Sequence, residues 1–490
     1  MALKTLFLNP PSFENFDGGA GSRWPATREV ESYWYPVWLA YPAGMIEESR
    51  LLDAPSHHIS AEQTIRIARD YKFLLLFTST PGFPGDIRLA SAVKETNPEI
   101  KIAFVGPHVT ALPERSLRDC LAMDFICRRE FDRAVVDYAE GKSLREIPGV
   151  SYLRGGDIVH NPDALPIQDL DALPHVTDIY KRDLDIARYN VPFLRHPYVA
   201  LYTTRGCPAQ CTFCLWPQTL SGHPWRKRSS GDVAREMAKA KEYWPMVKEF
   251  FFDDDTFNIQ KARTQELCAE LKPLNLIWSC TSRVTTDYET LRSMKEAGCR
   301  LLIVAYESGD PQILKNIKKG ATVERARQFT KDCRKLGLVI HGDFIVGLPG
   351  ETRETISRTI AFAKELDVET IQVSVAHAYP GTELYEHALK NGFAVSTTMV
   401  DPGGHQVAHI QYPGLPADEV LTAVHRFYDE YYFRPKAIFR ILKGAAFDSH
   451  DRKRLYKDAK AFLKLRSARN RKKVAATDNK ATIPQAVEAG

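Results

Sequence analysis

Two stretches of the chain alternate short apolar runs with segments of helical periodicity. In the first stretch, residues 3–8, 73–77, 102–105 and 124–127 have the pattern of buried strands, and polar or glycine-bearing loops follow them. Continuous apolar strands separated by helices are typical of a parallel sheet that helices cover on both faces. The pattern therefore predicts a doubly wound α/β domain over residues 1–146.

The second stretch, residues 198–385, contains six strand–helix units. Its predicted strands are residues 199–202, 249–252, 277–279, 301–304, 339–345 and 370–375. Repeated βα units with parallel strands favour a barrel, and such barrels carry their active sites at the carboxyl ends of the strands. Six units predict a partial, open (β/α)6 barrel.

The remaining segments have weaker patterns. Residues 147–197 are rich in Pro and Asp, and they are predicted to form a connector with a small hairpin and an extended strap. Residues 386–450 are predicted as a helical C-terminal region that contributes to substrate specificity. Residues 451–490 are predicted as a basic amphipathic helix followed by a disordered tail.

The most specific chemical signal is a cysteine triad after the first barrel strand. Cys207, Cys211 and Cys214 have the spacing C-x3-C-x2-C. Iron–sulfur clusters are held by grouped thiolates, and a cubane normally takes four of them, so three imply one open iron. Structural zinc is the first alternative, but it usually takes paired C-x2-C arms and four ligands. A disulfide is the other alternative, and it does not suit a chain expected inside the cell.

The triad, with the aromatic residue Phe213 before its last cysteine, resembles the signature of the radical S-adenosylmethionine (SAM) superfamily. The resemblance implies a [4Fe-4S] cluster whose open iron chelates the amino and carboxylate groups of SAM. It also implies reductive cleavage of SAM to a 5′-deoxyadenosyl radical, with an external one-electron reductant such as flavodoxin or ferredoxin. Phe213 is assigned to SAM binding on the same ground.

Polar side chains follow five of the predicted barrel strands. A polar residue directly after a buried barrel strand is well placed to contact a ligand. By the resemblance, Asp254, Asp255 and Arg283 contact the amino acid end of SAM. These carboxylates, and that of Glu307 at a later strand end, could instead pair with lysines on the rim of the barrel.

Two further strand ends complete the expected SAM site. Glu307, in the run Glu-Ser-Gly, matches a family position at the ribose or amino group. Val346 and Gly347 match the glycine motif that lets the backbone approach adenine, for which a residue without Cβ is suited. No residue of the sequence is identified as a hydrogen donor, so the catalytic residue is unknown.

The N-terminal pattern resembles the cobalamin-binding domain found in many radical SAM enzymes. Ligands of doubly wound sheets bind beyond the carboxyl ends of the strands. The residues assigned to cobalamin on this basis are Thr78, Ser79, Gly106 and His108. The usual D-x-H-x-x-G motif is absent, since Asp53 is followed by Ala54, Pro55, Ser56 and His57, so no histidine from that motif is expected on cobalt. A Rossmann-like domain that has lost its cofactor is the alternative.

Composition and charge narrow the choice of partners. The 490 residues carry a net charge of +5, but residues 451–473 hold eleven Lys/Arg and two Asp, a local charge of +9, which leaves −4 for the rest. A mildly acidic body argues against a nucleic-acid enzyme. No apolar run is long enough to span a membrane and no signal peptide is evident, so a cytoplasmic protein is expected. The tail is either a solvated helix or a peripheral contact with the anionic inner membrane.

Taken whole, the chain resembles the hopanoid-biosynthesis-associated radical SAM proteins, most specifically in residues 215–223 and in the tail. That resemblance implies a hopanoid lipid substrate and contraction of its glycosyl headgroup to a five-membered cyclitol ether. Cobalamin-dependent methylation of an unactivated carbon shares every motif and is the alternative. A non-catalytic, membrane-associated cluster carrier is a third reading, which the set of strand-end polar groups disfavours.

Overall fold

The structure is a computed structural model that describes residues 2–14, 32–396, 398–401, 404–447 and 460. Its strands are β1 (Thr5–Asn9), β2 (Ser49–Asp53), β3 (Phe73–Phe77), β4 (Lys101–Val105), β5 (Phe125–Cys127), β6 (Val150–Arg154), β7 (Asp157–His160), β8 (Tyr198–Leu201), β9 (Thr204–Arg205), β10 (Arg226–Lys227), β11 (Glu249–Phe252), β12 (Trp278–Ser282), β13 (Cys299–Glu307), β14 (Val339–Val346) and β15 (Thr370–Val375). Its helices are α1 (Val37–Met45), α2 (Ala61–Ala68), α3 (Phe83–Thr96), α4 (Pro107–Ala111), α5 (Pro113–Asp119), α6 (Asp132–Ala139), α7 (Val176–Asp183), α8 (Leu215–Thr219), α9 (Ser230–Tyr243), α10 (Lys261–Leu271), α11 (Tyr288–Glu296), α12 (Pro311–Asn316), α13 (Val323–Leu336), α14 (Arg353–Leu366), α15 (Glu383–Lys390), α16 (Ala417–Tyr432) and α17 (Pro435–Phe447). Together they form two large sheets and one short ladder.

The N-terminal sheet has the order β2-β1-β3-β4-β5-β6-β7, and its first five strands are parallel. All five residues of β3 are buried, as a strand covered on both faces requires. The predicted doubly wound domain is confirmed. The pattern did not predict β2, because only its last three residues are buried and its apolar run is short.

The hairpin β6–β7 extends the N-terminal sheet beyond the predicted boundary at residue 146. β6 pairs antiparallel with β5, and β7 pairs antiparallel with β6. The sequence pattern indicated a hairpin in the connector, but it carried no information on which edge the hairpin would join. The strap that follows, from residue 161 onward, leads to the second domain.

The second large sheet is the predicted partial barrel, with the order β15-β14-β13-β12-β11-β8 and parallel pairing throughout. An exposed strand edge is a template for unwanted pairing unless the fold covers it. At β15 the amides of Val373 and Ile371 donate to the hydroxyls of Tyr428 and Tyr432 at 2.8 and 2.9 Å. The tyrosines of α16 therefore close this edge of the barrel.

Aromatic side chains close the amino-terminal end of the barrel. The ring of Trp34 packs edge-on against Phe251 of β11, with centroids 5.4 Å apart, and lies 6.5 Å from Phe193 of the connector. Phe193 stacks on the imidazole of His341 of β14 at 3.9 Å. Burial lowers the pKa of His341 to about 3. These rings, here called the aromatic floor, close the amino-terminal end of the barrel. The interior of the barrel opens toward the carboxyl ends of the strands.

The C-terminal region contains α16 and α17, in agreement with the predicted helical character of this segment. Among the described residues, no helix is long and apolar enough to span a membrane. The basic segment 451–473, predicted as an amphipathic helix, lies outside the described residues except for residue 460.

Candidate active site

The three cysteines lie on a loop that is closed at its base by a short ladder. β9 and β10 pair antiparallel, with Arg205 opposite Arg226, and they enclose residues 206–225, here called the cluster loop. Cys207 and Cys211 are buried, and Cys214 is half-buried. Gly206 has φ +87°, and a Cβ there would lie 2.2 Å from the carbonyl oxygen of Pro224. The narrow base of the loop therefore requires glycine at this position.

Gln218 of α8 fixes the backbone around the cysteines. Its amide nitrogen donates to the carbonyls of Cys214 at 2.8 Å and of Cys211 and Thr212 at 3.3 Å. Its amide oxygen accepts from the backbone nitrogen of Glu383 at 2.9 Å. One side chain thus satisfies the carbonyl groups of the loop and ties it to α15. Sequence reasoning noted the segment 215–223 but did not assign this role.

The thiols fit a cluster better than the alternatives. All nine cysteines are free, so no disulfide forms. In the part of the chain that the structure describes, no three His, Cys, Asp or Glu side chains converge on one point as a single metal ion would require. The thiolates of a cubane bind separate irons and need not converge. Burial raises the pKa of Cys207 and, more strongly, of Cys214, so bound iron would have to stabilise their thiolates.

Asp254 is buried at the end of β11, and four donors saturate its carboxylate. The amide and hydroxyl of Thr203 donate at 2.8 and 3.0 Å, and the hydroxyl and amide of Thr204 donate as well. Burial raises the pKa of Asp254 despite these hydrogen bonds. Asp254 therefore holds the strand that leads into the cluster loop, and its contact with SAM remains a prediction.

Asp255 lies beside the cluster loop. Its carboxylate accepts from the hydroxyl of Ser221 at 2.8 Å, and burial raises its pKa to about 6. The next residue, Thr256, has its hydroxyl 3.7 Å from the sulfur of Cys207. Of the adjacent pair predicted to bind SAM, Asp255 has the carboxylate with fewer protein donors.

Glu307 pairs with a lysine, which is the alternative that the sequence left open. It has φ +64° at the end of β13, where the register with β14 shifts. Its carboxylate accepts from the ammonium of Lys319 at 2.7 Å, and the guanidinium of Arg283 donates to the carbonyl of Lys319. Burial alone would lower the pKa of Lys319, but the charge of Glu307, the nearby Cys211 and the hydrogen bond to Glu307 together raise it. Lys319 therefore contacts both Glu307 and Arg283, two of the residues predicted to bind SAM. The sequence pattern did not indicate Lys319 as a site residue.

Gly347 directly follows β14 and lies in the left-handed region, with φ +93°, and a Cβ there would lie 2.9 Å from Val420. The carbonyl of Val346 accepts from the amide of Ala376 at 2.8 Å. The amides of Gly347 and Leu348 donate to Glu351, whose pKa burial raises to about 8. Sequence reasoning missed Glu351, although an acid directly after Gly350 at the start of a helix was a usable signal.

The four residues assigned to cobalamin come together at the carboxyl edge of the N-terminal sheet. Gly106 has φ +116°, and a Cβ there would lie 2.2 Å from the carbonyl oxygen of Thr78. The hydroxyl of Thr78 donates to Asp86 at 2.7 Å, and the hydroxyl of Ser79 accepts from the Gly82 amide at 3.3 Å. Glycine at position 106 lets the ends of β3 and β4 approach each other closely at the edge where doubly wound sheets bind their ligands, and the assignment of these four residues to cobalamin stays a prediction.

His108 is buried at the same edge. Its Nδ1 lies 3.2 Å from the Thr80 hydroxyl, and its ring packs on Phe83 with centroids 4.2 Å apart. Burial lowers its pKa to about 4, so the imidazole is neutral near pH 7. The histidine nearest the missing motif, His57, accepts from the Asp185 amide through Nε2 at 3.1 Å. A backbone amide of the connector therefore binds Nε2 of His57.

Two acids inside the barrel were not predicted as site residues. Asp253 directly follows β11, two positions after Phe251, and Asp343 of β14 lies two positions after His341, so the alternation of side chains places both above the aromatic rings that close the barrel. The carboxylate of Asp343 lies 3.3 Å from His341 Nε2 and is 29% exposed. Burial raises the pKa of both acids well above the usual value. A polar residue within an apolar strand pattern, as Asp343 is, was the available signal.

Comparison with known proteins places this architecture. The family model described as the Radical SAM superfamily matches residues 201–363, and the one described as the B12 binding domain matches residues 23–139. An uncharacterized methyltransferase of Pyrococcus horikoshii is 30% identical over 463 residues, which are 89% of this chain and 94% of that protein. The chain belongs to the radical SAM superfamily, in the group with an N-terminal B12 binding domain.

Two further comparisons agree with that assignment. The anaerobic magnesium-protoporphyrin IX monomethyl ester cyclase of Cereibacter sphaeroides is 25% identical, and the alignment covers 94% of this chain and 75% of the cyclase. The structure of the radical SAM methyltransferase TsrM from Kitasatospora setae, with cobalamin and a [4Fe-4S] cluster bound, aligns with TM-score 0.66 at 15% identity. The alignment covers 94% of this chain and all of the TsrM chain, so the two proteins share a fold. The protein is thus a radical SAM enzyme with a [4Fe-4S] cluster, SAM and cobalamin as cofactors, and such enzymes need an external reductant.

Proposed function

We propose that this enzyme transfers a methyl group to an unactivated carbon atom, in a reaction that depends on cobalamin and SAM. The observation that carries the proposal is the relative from Pyrococcus horikoshii, which is named a methyltransferase and aligns over 94% of its length. Methyl transfer was the alternative that the sequence left open. The hopanoid ring contraction that the sequence led us to expect has no support from these relatives.

The chain's own residues have distinct parts in this proposal. When bound, the cofactors supply a radical that removes a hydrogen atom and a methyl group that replaces it. Cys207, Cys211 and Cys214 hold the cluster, and Gly347 allows close approach of the adenine. The pair of Glu307 and Lys319 presents both charges beside SAM. The aromatic floor excludes water from below, and flavodoxin or ferredoxin is the proposed electron donor.

Isotope labelling in cells tests this proposal even though the substrate is unidentified. A strain that lacks the gene is complemented with wild type or with Cys211→Ala and fed methionine with a deuterated methyl group. Methyl transfer predicts a metabolite that carries the labelled methyl group only in the wild-type complement. The matched control is Cys268→Ala, which removes a buried thiol of α10 far along the chain from the cluster loop. If no labelled metabolite depends on Cys211, the proposal is wrong.

Contraction of a hopanoid glycosyl headgroup to a cyclitol ether is the second candidate. The cyclase relative, whose alignment covers 94% of this chain, is named for a reaction other than methyl transfer, but its name concerns no hopanoid. The same cell extracts test it by mass spectrometry of lipids. Loss of cyclitol ether hopanoids with accumulation of the glycosylated precursor would support this candidate. An unchanged hopanoid profile would exclude it.

We also propose peripheral contact with an anionic membrane at the C-terminal end. On α17, Ile438, Phe439 and Leu442 are 41%, 69% and 63% exposed. The sequence that follows, 451–473, has a net charge of +9. An exposed apolar helix face next to a basic segment suits an interface of anionic lipids.

Vesicle co-sedimentation tests the membrane contact. Wild type is expected to bind vesicles that contain phosphatidylglycerol and to dissociate in high salt, whereas Phe439→Glu is expected to bind at least several-fold less. Leu121→Glu is the matched control, since Leu121 is 87% exposed on the N-terminal domain. Equal binding by both variants, or self-association through α17 in place of vesicle binding, would contradict the contact.

A further inference from the structure

Two arginines face each other at the base of the cluster loop. Arg205 and Arg226 are directly opposite in the β9–β10 ladder, and both side chains are buried. Like charges opposite each other destabilise an antiparallel pair. The ladder that closes the cluster loop therefore needs anionic partners from elsewhere in the fold.

Those partners come from the N-terminal domain. The carboxylate of Asp132 accepts two hydrogen bonds from the guanidinium of Arg205, at 2.8 and 3.0 Å. Glu130 accepts from both terminal nitrogens of Arg226 and lies 3.6 Å from Arg205. All four side chains are 5% exposed or less. These four residues, here called the docking clamp, form a charge-balanced group across the domain boundary.

Aromatic rings enclose the arginine of the clamp nearest the cysteines. The guanidinium of Arg205 lies 4.7 Å from the ring of Trp38 and 4.7 Å from that of Tyr41, both on α1. Trp38 also stacks on Trp216 of the cluster loop, with centroids 6.0 Å apart and planes 4° from parallel. Arg205 cannot leave this position without separation of the N-terminal domain from the cluster loop.

The clamp connects to the cysteines through a short chain of contacts. Arg226 donates to the carbonyl of Ser221 at 2.9 Å, and the hydroxyl of Ser221 donates to Asp255 at 2.8 Å. The hydroxyl of the following residue, Thr256, lies 3.7 Å from the sulfur of Cys207. A shift of Arg226 would therefore displace groups that contact a cluster ligand.

We propose that Glu130 and Asp132 are positioning residues for the iron–sulfur cluster. They neutralise Arg205 and Arg226, so the loop adopts its ligand-binding shape only where the cobalamin-type domain is docked. Cluster assembly therefore depends on the N-terminal domain through these two carboxylates. The amount of product formed per molecule of SAM cleaved depends on them as well. The inference rests on the cluster and the domain contact, and it holds for methyl transfer and for ring contraction alike.

The test compares Asp132→Asn with Asp137→Asn in the full-length protein after anaerobic reconstitution. Both residues lie on α6, but the carboxylate of Asp137 accepts from Lys142, whose side chain is 52% exposed. Asp132→Asn is expected to lower iron and sulfide per chain at least twofold and to change the electron paramagnetic resonance signal of the reduced cluster on addition of SAM. Asp137→Asn is expected to match wild type, and Asp132→Glu to restore part of the signal.

The result that would overturn the proposal is an Asp132→Asn protein with the iron content and the SAM-dependent spectrum of Asp137→Asn. Circular dichroism separates a loss of fold from a loss of the cluster. If Asp132→Asn does not fold, the double variant Asp132→Asn with Arg205→Gln leaves no unpaired charge in that pair. The proposal then requires an altered cluster spectrum in the double variant, and a wild-type spectrum there would contradict it.

Discussion

The barrel is joined to its neighbours by two ionic junctions that differ in burial and balance. At the N-terminal side, the docking clamp sets two carboxylates against two arginines, all nearly inaccessible to solvent. At the C-terminal side, the single carboxylate of Asp367 faces Arg434, Lys436 and Arg440 at 2.5, 2.7 and 2.7 Å. The Asp367 side chain is only 7% exposed, but its cations are partly exposed, from 15% for Arg434 to 76% for Lys436. The first junction borders the cluster loop, whereas the second holds α17 against the outside of the barrel.

The difference indicates what each junction contributes. In a buried ion pair, the attraction between the charges offsets the cost of their desolvation only when every partner is present in the right geometry. Cations that are partly exposed, as those around Asp367 are, tolerate the loss of their carboxylate better, because water can solvate them. The clamp therefore suits a position where geometry matters for chemistry, and the junction at Asp367 suits attachment of a peripheral helix.

The largest expected effect comes from Arg205→Met, which leaves Asp132 buried without its cation. Removal of one partner of a buried pair typically costs about 3–5 kcal/mol, and we expect a loss of that order in the free energy of unfolding. Urea denaturation of the cluster-free protein measures it. Arg327→Met is the control, because Arg327 is 38% exposed and pairs with Glu365 at the surface. Equal losses in the two variants would remove the contrast between buried and exposed pairs.

A smaller effect is expected from Asp367→Asn. Asp367 has φ +48°, a conformation that Asn also tolerates, so the substitution removes the charge without backbone strain. The three cations hold the pKa of Asp367 below its usual value, although burial opposes them. We expect a loss of about 1 kcal/mol in the same denaturation experiment. A loss as large as that of Arg205→Met would show that the C-terminal junction is not screened.

Ionic strength should change the stability effects at the two junctions to different extents. At an ionic strength of about 1 M the screening length falls to about 3 Å, which weakens exposed pairs far more than buried ones. The effect of Asp367→Asn on stability is expected to shrink toward zero in 1 M NaCl, whereas that of Arg205→Met should persist. Urea midpoints of the variants at low and high salt test this. Equal salt sensitivity would contradict the assigned burial.

A pH dependence of stability is expected from Glu351, a buried acid whose carboxylate accepts from two backbone amides. Burial raises its pKa to about 8 in the folded protein, against an ordinary value near 4.5. Folding therefore favours the protonated form, so Glu351 lowers stability progressively as pH rises from about 4.5 through about 8. Glu351→Gln keeps an oxygen for the amides and should flatten this part of the pH–stability curve. An unchanged slope would show that Glu351 does not titrate in this range.

Much of the architecture was predictable because it depends on periodicity. The buried strands β3 and β4 and the parallel barrel units carry their burial in local sequence, and the C-x3-C-x2-C spacing places three thiols on one loop. What could not be predicted depends on pairs distant in sequence. Asp132 and Arg205 are 73 residues apart, and neither lies in a pattern that marks it as buried.

The candidate site shows the same limit. Glu307 was predicted from its place after a strand, but its partner Lys319 comes from a loop whose fold the sequence does not specify. Gln218 lies in a segment that was noted for resemblance, yet its bonds to three carbonyls depend on the turn of the loop. Gly347 was predicted as a position of close approach, and both its positive φ and the lack of room for a Cβ agree with glycine there.

The most direct test of the proposed methyl transfer is the product ratio of the reconstituted enzyme. The protein is incubated anaerobically with SAM and a chemical reductant, with and without added cobalamin, and S-adenosylhomocysteine and 5′-deoxyadenosine are quantified. Methyl transfer predicts that both products form, that S-adenosylhomocysteine requires cobalamin, and that Cys211→Ala abolishes 5′-deoxyadenosine. Formation of 5′-deoxyadenosine with no S-adenosylhomocysteine under any condition would contradict methyl transfer and favour a rearrangement.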